Sequence, residues 1–266
     1  MQTTTETVLT RVPMPAREYQ LLELLLRHTN PNPPRIVLTE LGIRVNQISP
    51  NHTWAISCHI TSPRVEIPTP LPGTFELLTP LPTLHALHAT QIALTVKPCS
   101  IEVECDGEPM MSIQTTIGSP LFITDIIQLH ADSDSTYTLP GSTMRQDVVL
   151  LGSKATRMEV HVIPSGRVVA LTAHEGYIQR GTKSHPLLSA QRLVRFSHTV
   201  AFERWAPTIV YARASNYQNW ANALSWCRTV NLGLKADHPL VGYFHSGPLT
   251  VAAALAPVLL PCDLER

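Results

Sequence analysis

The stretch Arg35-Ile36-Val37-Leu38-Thr39-Glu40-Leu41-Gly42-Ile43-Arg44-Val45, running on to Asn51-His52-Thr53-Trp54-Ala55, decides how the chain reads. Residues 35–39, 43–48 and 54–60 are strand-like runs dense in β-branched side chains. Leu41-Gly42 and Ser49-Pro50-Asn51-His52 supply the turns between them. Short runs joined by tight turns predict adjacent strands of an antiparallel sheet.

Toward the N-terminus the period changes. From Pro15 onward, Tyr19, Leu21, Leu22, Leu24, Leu25 and Leu26 are apolar, while Arg17, Gln20, Glu23 and Arg27 are polar. That pattern predicts a helix with a wide apolar face. Asn30-Pro31-Asn32-Pro33-Pro34 ends it. Residues 1–14 are polar, contain Pro13, and are expected to form a flexible N-terminal tail. Toward the C-terminus, a proline-rich stretch (63–82) leads to a shorter helical candidate at 81–89. Strands follow at 92–96, 101–105 and 111–117, with Asp106-Gly107 as a turn pair.

Residues 119–138 break the pattern and read as an interdomain connector, partly extended along 121–129 and then polar and acidic. After it the order repeats. A helix is expected over 142–153, strands at 158–163 and 167–173, further strand material in 187–203, a helix over roughly 208–227, and strands at 229–235, 240–244 and 249–255. The repeat implies two similar α+β domains, 15–118 and 139–262, each an antiparallel sheet covered on one face by two helices.

Composition narrows the function classes. Of 266 residues, 44% are apolar and 15% charged, which supports a sizeable core and argues against disorder. The net charge is zero but unevenly spread. Residues 1–118 carry seven Lys/Arg against ten Asp/Glu, 119–138 carry three Asp and no base, and 139–266 carry thirteen Lys/Arg against seven Asp/Glu. The C-terminal half is the better candidate for a polyanion. The five cysteines (Cys58, Cys99, Cys105, Cys227, Cys262) are odd in number and lack CxxC spacing, as expected of reduced thiols in a cytosolic or nuclear protein. The start, Met-Gln-Thr-Thr-Thr-Glu, has no secretory character. The longest apolar run, 251–260, is half the ~20 residues a membrane span needs, and Pro257 interrupts it.

Catalytic signals are weak. His85 and His88 stand three apart on a helical candidate, but no ligand-type residues accompany them, HExxH is absent, and no metal or cofactor is expected. His174-Glu175 is explained by a hairpin. GxSxG, a Walker loop and GxGxxG are all absent, so an enzyme is not expected. Trp205, Trp220 and Trp226, with Tyr211 and Tyr217, are read mainly as core rather than as a surface for stacking bases.

The 35–55 stretch resembles the first-domain signature of eukaryotic DNA sliding clamps: strand, Gly-Ile turn, strand, short loop, strand. Tyr137-Thr138-Leu139-Pro140-Gly141-Ser142-Thr143-Met144 resembles the end of the clamp's connector and the first helix of its second domain. Ile163-Pro164-Ser165-Gly166-Arg167-Val168-Val169-Ala170-Leu171, with Gly176 and Gly181 after it, follows that domain's first hairpin. Leu240 to Phe244, then Gly247-Pro248-Leu249-Thr250-Val251 and Ala256-Pro257, is similar to the terminal hairpin. The resemblance covers about 15–260 in the family's order. It departs from proliferating cell nuclear antigen in being neutral and in having only four lysines, Lys97, Lys154, Lys183 and Lys235. The compact length fits a Rad-one-type subunit of the heterotrimeric checkpoint (nine-one-one) clamp best and a Hus-one-type subunit second.

The resemblance implies a non-catalytic nuclear scaffold. It would encircle double-stranded DNA with two other clamp-like subunits, be placed by a clamp loader, and recruit checkpoint and repair proteins through peptide motifs. The implied DNA-facing residues are Arg17, Arg27, Arg145, Lys154, Arg157, Arg213 and Arg228, whose cations would attract phosphates without reading sequence. His85 and His88 would add charge at low pH. The implied peptide-capturing residues are Leu121, Phe122, Ile123, Ile126 and Ile127. The implied subunit edges are Met111, Ile113, Thr115 and Ile117 at one end and Tyr177, Gln179 and Gly181 at the other. A homotrimeric replication processivity clamp and a protein-interaction module with no DNA role stay open as alternatives.

Overall fold

The computed structural model describes residues 8–27, 34–39, 41–49, 51–61, 74–77, 81, 89–118, 126–151, 155–163, 165, 167–175 and 191–258. The chain divides into two compact units, Met1–Thr124 with His245–Ala252 and Asp125–Phe244 with Ala253–Arg266.

Unit 1 begins with strand β1 (Thr10–Pro15) and helix α1 (Ala16–Arg27). Strands β2 (Arg35–Thr39), β3 (Gly42–Ile48), β4 (Trp54–Thr61), β5 (Thr74–Leu77), β6 (Gln91–Val96), β7 (Ser100–Cys105) and β8 (Glu108–Gly118) follow. The 35–61 meander forms as the sequence predicts. Thr39 pairs with Gly42 across a two-residue turn, and Gly42 pairs onward with Thr61. Gly42 has φ +147°, and a Cβ there would sit 2.0 Å from the Ile60 carbonyl oxygen, so only glycine fits. Ile36, Leu38, Ile43, Val45, Ile56, Cys58 and Ile60 are buried. The larger of these side chains each contribute roughly 1.5–3 kcal/mol on burial. In α1 the buried side is Tyr19, Leu22, Glu23, Leu25 and Leu26.

Residues 10–14, expected in a loose tail, are instead ordered in β1, which pairs antiparallel with β6. Val12 and Met14 point inward while Arg11, Pro13 and Pro15 are exposed. Proline reads as a breaker in sequence, but among the described residues β1 has a neighbour on one side only, and an edge strand tolerates a residue without an N–H.

Unit 2 repeats this plan. Helix α2 (Ile126–Ala131) precedes β9 (Ser135–Pro140), α3 (Gly141–Leu151), β10 (Arg157–Ile163), β11 (Val168–Glu175) and β12 (Gln191–Thr199). Next come β13 (Phe202–Arg204), β14 (Thr208–Arg213), α4 (Ala214–Leu224), β15 (Thr229–Leu234), β16 (Leu240–Ser246) and β17 (Leu249–Leu255), of which Ala253 onward belongs to unit 2. Five of the described antiparallel pairs of unit 1 have a counterpart in unit 2. β1 with β6 matches β9 with β15, and β6 with β7 matches β15 with β16. β2 with β3 and with β5 matches β10 with β11 and with β14. β3 with β4 matches β11 with β12. The expected repeat is therefore present in the strand pairing. The short helix expected at 81–89 falls outside the described residues apart from its two ends.

Two assignments differ from the sequence reading. Residues 208–213, expected at the start of a helix, are strand β14. Thr208, Val210 and Ala212 are buried and Ile209 and Arg213 exposed, an alternation of period two. Within the expected connector, residues 126–131 are helical and β9 already begins at Ser135. The polar run Asp132-Ser133-Asp134-Ser135 reads as loop, yet Ser133 and Ser135 are buried, and the Ser135 hydroxyl donates to the Ala206 carbonyl at 2.8 Å.

Candidate nucleic-acid interface

In unit 2, α3 and α4 pack against each other. Gly141, the first residue of α3, lies against the turn after α4, where a Cβ would sit 2.0 Å from the Cys227 carbonyl oxygen. The turn after α4 is fixed by backbone bonds from Ser225 to Ala221 (2.9 Å) and from Cys227 to Leu224 (3.0 Å), and Gly141 N–H donates to Arg228 at 3.2 Å. Burial pushes the Cys227 thiol up to about 12, so it is a packed, inert group. Trp220 is fully buried, its indole N–H reaching the Ala253 carbonyl.

The outward residues of this helix pair carry no acid. On α3 they are Ser142, Arg145, Gln146 and Val149; α4 contains no charged residue at all and exposes Ser215 and Asn219. The acid of α3, Asp147, is fully buried, with His198 Nε2 of β12 lying 2.8 Å from its Oδ1. Burial raises its carboxyl above the ordinary value, opposed by the hydrogen bond and charge of His198.

The sequence-predicted cations fall into distinct settings. Arg145 is exposed on α3, its guanidinium 4.5 Å from the centre of the Trp226 ring. Arg213 is exposed at the end of β14, directly before α4, and Arg228 is exposed in the turn after α4, so neither lies within a helix. Arg157 opens β10, stacks 5.1 Å from the Tyr211 ring centre, and is the register partner of Arg213. Like charges placed opposite each other across a sheet destabilise it and favour an anion between or beside them. In unit 1, Arg17 is exposed on α1, while Arg27 is bound by Glu23 one turn earlier. Among the described residues, none of Arg17, Arg145, Arg157, Arg213 and Arg228 forms an ion pair with a carboxylate. Lys154, His85 and His88 lie outside the described residues.

Of the peptide-capturing candidates, Leu121, Phe122 and Ile123 lie outside the described residues. Ile126 is buried and Ile127 is exposed, both on α2. Of the edge candidates, Met111 is 49% exposed, Ile113 and Thr115 are buried, and Ile117 pairs with Phe75 of β5. Tyr177, Gln179 and Gly181 lie outside the described residues.

Two edges stand out. β8 pairs with β7 along Glu108–Gln114 and with β5 along Thr115–Gly118, so among the described residues its first part has a neighbour on one side only. Among the described residues β12 pairs with β11 alone and ends its four-stranded sheet. Its counterpart in unit 1, β4, is covered by β17, and the Thr61 N–H donates to the Pro248 carbonyl at 2.9 Å. The sequence reading placed the second edge at 177–183. β12 is signalled only by the weaker alternation of 191–199.

The aromatic reading is corrected in part. Trp220 and Tyr217 are core, but Trp205 is 63% exposed and Trp226 43% exposed. Helical spacing was expected to carry Trp226 inward, and α4 ends two residues before it. Among the described residues, no group of three or more His, Cys, Asp or Glu is placed to hold a metal, and no helix is long and apolar enough to cross a membrane.

No family model matches the sequence, and no curated protein matches it. The crystal structure of Proliferating Cellular Nuclear Antigen from Entamoeba histolytica is similar over 95% of this chain and 100% of its own, with a TM-score of 0.70 and 14% sequence identity. The chain thus has the α+β DNA-clamp fold, built from antiparallel sheets and few helices. At that identity the likeness establishes fold alone.

Proposed function

We propose that this chain is a non-catalytic DNA sliding-clamp subunit, one arc of a nuclear ring that encircles duplex DNA and recruits checkpoint and repair proteins. The observation that carries the reading is an asymmetry between matched strands. In unit 1, β4 is covered by β17 of the same chain, whereas the equivalent β12 and the first part of β8 have open sides among the described residues. A neighbouring chain placing the open part of its β8 against this chain's β12 would cover both open sides, and a heterologous contact of this kind makes a ring when its rotation closes. Met111 marks one edge in this reading, and β12 the other.

The acid-free helix pair of unit 2, with Arg145, Arg157, Arg213 and Arg228 around it and Arg17 on α1, supports a backbone-only phosphate surface. Such a surface attracts DNA without locking to a sequence, which sliding requires. With only four lysines in the chain, a heterotrimer of checkpoint type is favoured over a homotrimeric replication clamp. A clamp loader and peptide-motif partners belong to the same reading.

The test is topological. The chain is incubated with nuclear extract, ATP and nicked circular plasmid, and the DNA is isolated by gel filtration before and after linearisation. Retention on the circle and loss on cutting is expected. Equal retention on both forms contradicts encirclement.

A further inference from the structure

The reading above leaves open which kind of strand covers β12. The sequence of β12, Gln191–Thr199, contains Arg192 and Arg195 and no acid. Its neighbour β11 places no acid opposite either arginine. Arg195 stands opposite Thr172 and Arg192 opposite His174, while Glu175 stands opposite Gln191. His174 is in turn the register partner of Arg157 on β10, and Arg157 that of Arg213 on β14. One row thus crosses all four strands of the sheet as Arg213, Arg157, His174 and Arg192, and it ends at the open edge. Like charges opposite one another across a sheet destabilise it. Among the described residues the row draws on one acid, Glu159, whose Oε2 lies 3.2 Å from His174 Nε2. A strand paired with the open side of β12 would extend the row by one position. A carboxylate there would be a direct cross-strand neighbour of Arg192, with Cβ atoms about 5 Å apart.

The chain's own β8 does not supply that carboxylate. Its open part, Glu108–Gln114, has Glu108 as its single charged residue. The strand pairs of both units are antiparallel. An antiparallel β8 from a second copy would therefore bring Glu108 to the Thr199 end of β12. Arg192 and Arg195 would then face residues between Met110 and Thr115, none of them acidic. We propose that β12 is an edge for an acidic strand of a different chain, that Arg192 and Arg195 select it, and that a second copy of this chain is the disfavoured occupant. The inference rests on the ring reading and adds the chemistry of the neighbour at one edge. Opposite charge draws the right neighbour to β12, and a neutral edge leaves two arginines without a counter-charge across the joint, so gain and penalty both discriminate.

The experiment changes the charge on either side of the joint. Ser112 and Gln114, both exposed on β8, are replaced by glutamate, and the purified full-length chain is followed by sedimentation across a concentration series. With this acidic edge the chain should self-associate about 2- to 30-fold more tightly than the native chain, the effect of two opposite-charge cross-strand pairs. Adding Arg192→Gln and Arg195→Gln, or raising the salt, should remove the gain. Ser112→Lys with Gln114→Lys should show no gain. In a second arm, Arg192→Glu with Arg195→Glu should lower entry into a complex with clamp-like proteins of nuclear extract at least about tenfold, while Arg192→Lys with Arg195→Lys retains it. Arg192→Gln with Arg195→Gln, a milder change, serves the same arm where urea melts show that the glutamates impair folding. Self-association no tighter with the acidic β8, or undiminished assembly without the two arginines, overturns the acidic-edge proposal and leaves the ring reading intact. A stable trimer of the native chain alone overturns it too, because β12 then accepts its own β8. A native chain that joins no clamp-like protein overturns the ring and this proposal together.

Discussion

The two units share a strand plan and differ in how they dispose of edges and charge. In unit 1 four cations are neutralised within the unit, Arg11 by Glu104, Arg27 by Glu23, Arg35 by Glu76 and Lys97 by Glu102. In unit 2 the described ion pairs are both histidine contacts, His174 with Glu159 and His198 with Asp147. The outer side of β4 is covered by β17, while its counterpart β12 ends a sheet among the described residues. The matched strands thus end differently: β4 is covered within the chain, while β12 of unit 2 and the first part of β8 of unit 1 have open sides among the described residues. Matched folds with unmatched terminations mark where partners belong.

The largest expected effect breaks the contact between β3 and the covered strand β4. Gly42→Ala places a Cβ 2.0 Å from the Ile60 carbonyl oxygen in a left-handed backbone, and should cost about 3 kcal/mol or more, read as a lowered urea midpoint. An alanine variant of unchanged stability would show that the meander does not depend on that close approach.

The next perturbation addresses the open edge. Replacing Met110 and Met111, both 49% exposed, by lysine should weaken assembly with clamp-like partners at least tenfold, about 1.4 kcal/mol. Monomer stability should move by less than about 0.5 kcal/mol, as usual for surface positions. Pull-down titration and urea melts separate the two, and unimpaired assembly would remove β8 from the interface.

Charge sharpens the contrast between the units. Arg213→Gln with Arg228→Gln should lower the slope of log affinity for duplex against log salt by about 2. Arg27→Gln, which removes an arginine already bound by Glu23, should leave the slope nearly unchanged. Equal effects in both units would show that the acid-free helix pair has no special part in DNA binding.

The smallest expected effect concerns Asp147. Its carboxyl is raised in the folded chain, so the folded state holds this proton more tightly than the unfolded state does. The group's contribution to stability is therefore greatest at low pH and is lost as pH rises from the ordinary value of 3.8 through the raised one. Asp147→Asn lacks this titration. Relative to the variant, the native chain should lose stability as pH rises from 3.8 through the raised value, read in urea melts at matched ionic strength. A pH-independent difference would mean that the buried carboxyl titrates alike in both states.

Much of the fold was legible because its signals are local. The 35–61 meander, the α1 periodicity and the terminal hairpin each follow from side-chain alternation and a turn residue. What was illegible depended on tertiary context. β1 carries Pro13 and Pro15, which its edge position makes admissible, and β9 opens on Ser135, whose hydroxyl finds its partner at Ala206, 71 residues away. For the candidate site, the sequence offered the charge distribution between the halves. The exposure of Trp226 was not legible, because α4 stops at Leu224 and the next residues turn back against Gly141. Nor was the pairing of Arg27 with Glu23 weighed, although their spacing of four along a helix is a readable signal.

The central claim is that this chain is an arc completed by neighbours at β8 and β12. Its most direct test is the mass of the purified chain in solution, by light scattering, alone and after mixing with nuclear extract. A monomer that enters a three-subunit complex with two clamp-like proteins is the result predicted here. A stable trimer of the chain alone would keep the ring and replace the checkpoint assignment with a replication-type homotrimer. A monomer that never joins such proteins would contradict the ring itself.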